Sequence, residues 1–150
     1  MFLVDTDVLS ALTKRRRHPN VEAWIGHQRT SNLFVSVISI GAIERGIALQ
    51  RLKDRDFAAM LAMWLDQVLQ VYGDRVLPFD LASARRWGQL SAALGHHGAD
   101  LQIAATAFER GLIVVTRNVS HFEPAGVQVL DPFIPPPRNI TSRARIIVTL

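Results

Sequence analysis

The chain has no cysteine, which at once excludes disulfide bridges, thiolate metal sites and cysteine nucleophiles. Lysine is nearly as scarce, confined to Lys14 and Lys53. Long apolar runs are missing too. The longest charge-free block, Phe57 to Leu65, falls well short of the roughly 20 residues a membrane helix needs. No charged-then-apolar leader with a small-residue cleavage site precedes the first hydrophobic run, so a cytoplasmic location is expected. The Asn139-Ile140-Thr141 sequon then reads as chance, and no internal repeat is visible. A broad excess of one charge is also lacking. The net charge is +4, but Arg138, Arg143 and Arg145 lie in a final segment without acids; residues 1–137 hold 14 basic and 13 acidic side chains, a net of +1. A surface that coats nucleic acid generically is not indicated.

What remains is an ordinary compact composition. With 150 residues, 49% of them hydrophobic and 20% charged, the chain suits one domain with a real core. Short β-rich runs alternate with helical patterns, which points to an α/β fold with a parallel central sheet flanked by helices on both faces. Strands are expected at 2–5, 33–37, 76–79, 112–116 and 127–130. Helices are expected at 6–14, 21–28, 40–52 capped by Ser36 or Ser39, 54–71, 81–94 capped by Asp80, and from Asp100 to about Arg110. The Pro135-Pro136-Pro137 run sets a domain edge. Residues 1–133 form the domain, and 134–150 form a Pro-rich extension in which Ile146-Ile147-Val148 is a strand, a partner-bound segment or disordered.

The most informative stretch is Phe2-Leu3-Val4-Asp5-Thr6-Asp7. An apolar strand stops at two carboxylates, which is how open α/β sheets deliver charge to the strand ends where ligands bind. Crowded carboxylates require a proton or a cation between them. Glu44 adjoins the apolar stripe Ile40, Ile43 and Ile47 at helical spacing, so it borders a buried face; snorkelling to water or pairing with Arg45 or Arg51 is the plainer alternative. Asp100 opens a segment that is apolar nearly all round, and capping is its plainer role. In a parallel sheet these positions gather at one edge, where each pair of carboxylates would repel by about 4 kcal/mol at an effective dielectric of 20. A hard dication relieves that repulsion, and Mg²⁺ fits an all-oxygen set. The Lys14-Arg15-Arg16-Arg17 cluster is either a solvated helix end or a polyanion contact beside the acids.

Four motifs now stand in order: Val4-Asp5-Thr6-Asp7-Val8-Leu9-Ser10; Val37-Ile38-Ser39-Ile40 leading to Glu44 and Gly46; Asp100-Leu101-Gln102-Ile103-Ala104-Ala105-Thr106-Ala107; and Thr116-Arg117-Asn118 with Phe122. Over about residues 1–133 this pattern resembles the PIN-domain ribonucleases, in particular VapC toxins and their FitB-like relatives. The resemblance implies a Mg²⁺- or Mn²⁺-dependent endoribonuclease, homodimeric and held inactive by a VapB-type antitoxin. The toxin–antitoxin complex would bind operator DNA through the antitoxin, and the substrate would be structured RNA such as tRNA or ribosomal RNA.

By motif match Asp5, Glu44 and Asp100 are metal ligands, with Thr116 and Asn118 as polar supports in the catalytic site. Asp7 stands where the family most often has Asn and is a ligand, a cap or an acceptor behind the ligands. Arg117 and the Lys14–Arg17 cluster are candidate RNA-phosphate contacts. The last motif departs from the family, which usually carries a further aspartate near Asn118 and His121. That loss should weaken a second cation. If His121 replaces the acid, its imidazole would favour Mn²⁺ or Zn²⁺; a loop histidine or RNA contact is the plainer role. Adjacent His96 and His97 are not expected to share an ion.

Phe57–Leu65 is read as core, with a groove for an antitoxin helix as the alternative the resemblance implies. Two rival functions remain. One is a PIN-fold binding module whose altered last motif has cost it activity. The other is a haloacid-dehalogenase-type phosphatase, in which Asp5 would be the nucleophile; that class needs a lysine at the site and a late acidic pair that this chain lacks.

Overall fold

The computed structural model describes residues 1–13 and 15–135. Lys14 and nearly all of the expected extension, including Ile146–Val148, lie outside them.

The described elements run β1 (Phe2–Val4), α1 (Thr6–Ser10), α2 (Pro19–Gly26), β2 (Leu33–Ser36), α3 (Val37–Arg51), α4 (Arg55–Tyr72), β3 (Val76–Leu77), α5 (Leu81–Leu94), α6 (Ala99–Arg110), β4 (Ile113–Val115), α7 (Val119–Phe122) and β5 (Val129–Leu130). The strands form one parallel sheet in the order β3-β2-β1-β4-β5. β1 is central, and the chain builds outward from it first through β2 and β3, then on its other side through β4 and β5. The switch in direction opens a crevice at the carboxyl ends of β1 and β4, where α/β sheets bind ligands.

Alternation along the strands divides two cores. Val4, Val35 and Val115 face α1–α4 and join Val8, Leu9, Val21, Ile43, Ile47, Leu65 and Val68. Leu3 and Val114 face the other way and join Leu101, Ile103, Ala104 and Phe122. This period of two is why the strands read as continuous apolar runs: both faces are covered.

Several boundaries differ from the sequence expectation. β3 stops at Leu77 because Pro78 has no N–H to donate. Helix α1 ends at Ser10, well before residue 14. Helix α3 starts at Val37, directly off β2, because the Ser36 hydroxyl accepts the Ile38 N–H at 3.1 Å; Ser39 is buried inside the helix instead. Asp80 caps α5 as expected, accepting the Ser83 N–H at 2.9 Å. Asp100 is not a cap: α6 begins at Ala99 after Gly98, and Asp100 sits in its first turn, where the helix dipole still favours a carboxylate.

Candidate metal-binding site at the sheet switch point

Register brings the site together. Val4 pairs with Val35 on one side and Val115 on the other, so the next residues, Asp5, Ser36 and Thr116, follow three adjacent strand ends. All three are buried. Asp5 remains in the sheet by its backbone, donating its N–H to the Val115 carbonyl at 3.0 Å, while Thr116 donates its N–H to the Leu130 carbonyl. A buried carboxylate needs donors. Asp5 Oδ1 accepts the Thr6 N–H at 2.6 Å, and Oδ2 accepts the Thr116 hydroxyl at 2.8 Å. The same hydroxyl oxygen accepts the Asn118 N–H at 3.0 Å, which fixes the direction of its proton toward Asp5.

Asp7 lies one step outward. Its Oδ2 accepts the Arg117 N–H at 2.9 Å. Its Oδ1 is buried and has no hydrogen-bond partner. Across the opening, Asp100 Oδ2 lies 2.7 Å from His121 Nδ1. Asp5, Asp7, Asp100, Arg16, Arg117, Asn118 and Phe133 line one cavity of about 550 Å³. Three carboxylates therefore face two guanidiniums. Burial, with help from Asp7 and then Asp100, raises the Asp5 carboxyl to about 6 against the opposing hydrogen bonds from Thr116 and Thr6. Burial likewise raises Asp7, although the Arg117 N–H and guanidinium pull it down.

Glu44 is not part of this arrangement. It is exposed on α3 and absent from the cavity lining, whose α3 wall is Ile38 and Ala42. Helix geometry explains the correction. The buried stripe of α3 is Ser39, Ile43 and Ile47; at about 100° per residue, Ile38 and Ala42 flank one border and Glu44 the other. The expected Asp5–Glu44–Asp100 set is thus not assembled, and among the described residues no three Asp, Glu or His side chains stand together as a ligand group.

The other predicted residues divide. Thr116 holds Asp5, Asn118 lines the cavity, and His121 touches Asp100 without lining it. Of the basic cluster only Arg16 reaches the cavity. Arg15 stacks on Phe57 at 3.9 Å, and Arg17 pairs with Glu22 at 2.7 Å. His96 and His97 are exposed and do not line the cavity. Phe133 had no signal in the sequence, yet the Arg117 guanidinium lies 3.7 Å from its ring centroid, and Asn20 holds its carbonyl at 2.7 Å. Ala42 was legible in principle, four residues from Ile38 on the same helical face.

A divalent cation suits the donors present. Mg²⁺ commonly takes one or two carboxylates and keeps several waters, and the partnerless Asp7 Oδ1 beside the buried Asp5 is an oxygen that lacks a positive neighbour.

A second surface lies on α4. Ala58 and Leu65 are buried as expected of core, but Met60 and Met63 are 53% and 66% exposed. They border a groove with Leu12, Phe57, Leu61 and Trp64.

Parallel strand order, a switch point at β1 and clustered aspartates define a nuclease-like α/β fold. A family model described as "PIN domain" matches residues 2–126. The chain is 36% identical to the VapC ribonuclease Y4jK of Sinorhizobium fredii, over 90% of this chain and 99% of that one. It is 32% identical to the toxin FitB of Neisseria gonorrhoeae, over 89% and 99%. It superposes on a solved FitAB complex bound to an IR36 DNA fragment with a TM-score of 0.80 and 28% identity, covering 93% of this chain and 100% of that one. The chain belongs to the PIN-domain family, in its VapC-type, FitB-like branch. The phosphatase reading is thereby removed.

Proposed function

We propose that this chain is the endoribonuclease toxin of a type II toxin–antitoxin pair, acting with Mg²⁺ or Mn²⁺ on RNA in the cytoplasm. The observation that carries this reading is the buried Asp5, delivered to the sheet switch point with Asp7 beside it and Asp100 across one cavity. Asp5 and Asp100 would hold the cation, which when bound lowers the pKa of a water and offsets phosphate charge. The protein's own groups do the positioning. Thr116 orients the Asp5 carboxylate through its hydroxyl, so Asp5 presents a fixed lone pair to the cavity. Arg117 and Arg16 offer guanidiniums to the phosphates on either side of the scissile bond, and Phe133 holds Arg117 by stacking. His121 keeps Asp100 oriented toward the opening.

The partner would be a VapB-type antitoxin, with the complex binding operator DNA through the antitoxin and the toxin paired as a homodimer. The Met60–Met63 groove fits an antitoxin helix: its apolar floor is open, and the buried Trp64 Nε1 lacks an acceptor. No helix among the described residues is long and apolar enough to cross a membrane.

One observation favours a second reading, a PIN-fold module weakened in catalysis and acting by binding with its antitoxin. Ala42 and Asn118 present a methyl and an amide to the cavity, where sequence reasoning placed acids nearby. The purified chain, freed of antitoxin and incubated with total RNA, separates the two. New RNA ends in Mg²⁺ or Mn²⁺ that vanish with chelator or with Asp100→Asn support the nuclease. Intact RNA under both metals supports the binding module.

A further inference from the structure

The loss of Glu44 from the cavity leaves a question of charge that α3 does not answer, because its contributions are the side chains of Ile38 and Ala42. Asp7 is the carboxylate the sequence match ranked lowest, but its surroundings set it apart. Its Oδ2 is pinned by the Arg117 N–H at 2.9 Å, with the Thr116 hydroxyl 3.5 Å away and already committed to Asp5. Its Oδ1 is sealed from water with no donor in reach. Ion pairing does not satisfy it, since Arg117 extends over Phe133. A capping role is also excluded, because the residue that caps α1 is Asp5. A buried carboxylate oxygen without a partner is costly unless something positive occupies its free side.

We infer that Asp7, through Oδ1, is a direct ligand of the divalent cation, forming with Asp5 a two-carboxylate seat that makes a ligand from α3 unnecessary. This inference rests on the metal-dependent reading above. Asp100, tied to His121, completes the negative surroundings from the far wall, a division that agrees with the absence of a compact three-residue ligand group. Two carboxylates with waters elsewhere suit Mg²⁺ or Mn²⁺.

The test is Mn²⁺ binding to the full chain, measured by calorimetry near neutral pH, with wild type, Asp5→Asn, Asp7→Asn and Glu44→Gln compared. Asp7→Asn should weaken Mn²⁺ by about tenfold or more and shrink the metal-induced rise in melting temperature, while its circular dichroism in chelator matches wild type. Glu44→Gln should bind as wild type does. Near-wild-type affinity in Asp7→Asn, with Asp5→Asn abolished, overturns the role of Asp7 and leaves the metal reading standing. Wild-type affinity in both aspartate variants, or no Mn²⁺ binding by the wild type, overturns both. If Asp7→Asn fails to fold, Asp7→Ser serves in its place under the same criteria.

Discussion

Asp5 carries a charge conflict that the fold itself creates. Its carboxyl is raised to about 6, first by burial and then by Asp7, so without metal the folded state prefers it protonated. Between about pH 4 and 6 the unfolded chain has already released this proton and the folded chain has not. Stability therefore falls as pH rises through that window. At about 1.4 kcal/mol per pKa unit the loss is on the order of 3 kcal/mol. Urea unfolding in chelator should register it, Asp5→Asn should flatten the profile, and saturating Mn²⁺ should restore stability at neutral pH. Thr116 is the matching test of orientation. Thr116→Val keeps the buried shape but removes the hydroxyl donor to Asp5. It should lower kcat by about tenfold to a hundredfold and move the acid limb of the pH–rate profile upward, with Thr116→Ser recovering both. An unchanged profile would remove Thr116 from any orienting role.

At the scale of elements, the sequence carried more about where helices and strands lie than about which way they turn. Asp80 before Leu81, and the apolar run Ile113–Val115, were legible because caps and buried strands have local causes. Glu44 was misplaced for a non-local reason. Its spacing from Ile40 and Ile47 correctly put it beside a buried stripe, but a stripe has two borders. Only the packing of α3 beside α1 and α6 decides that the Ile38–Ala42 border faces the cavity. Phe133 was invisible for the same reason: its partners Asn20, His18 and Arg117 are far away in sequence. The two borders of α3 predict opposite outcomes. Ala42→Glu places a further carboxylate in the cavity and should tighten Mn²⁺ binding severalfold, while destabilising the chelated protein through like-charge repulsion. Glu44→Gln should change neither. Calorimetry on both variants checks this, and equal effects from the two would contradict the assigned orientation of α3.

Across the whole molecule, the sheet separates two working surfaces. The acidic cavity opens at the carboxyl ends of β1 and β4, and the Met-rich groove lies on α4 with Arg15 stacked on Phe57 at its edge. Binding of a partner and cleavage of RNA should thus be separable by mutation. Met63→Asp puts a charge on an exposed apolar rim and should abolish capture of the co-expressed antitoxin while RNA cleavage by the free chain is retained. Loss of cleavage with capture intact would reverse the assignment of the two surfaces.

The most direct measurement is a crystal of the chain soaked in Mn²⁺ and read by anomalous diffraction. A single strong peak in the cavity, within ligand distance of Asp5 and Asp7 oxygens and on the side facing Asp100, is the expected result. Saturating Mn²⁺ that leaves the cavity without a peak, or that places the ion at Glu44, would contradict the assignment of these aspartates as the metal seat.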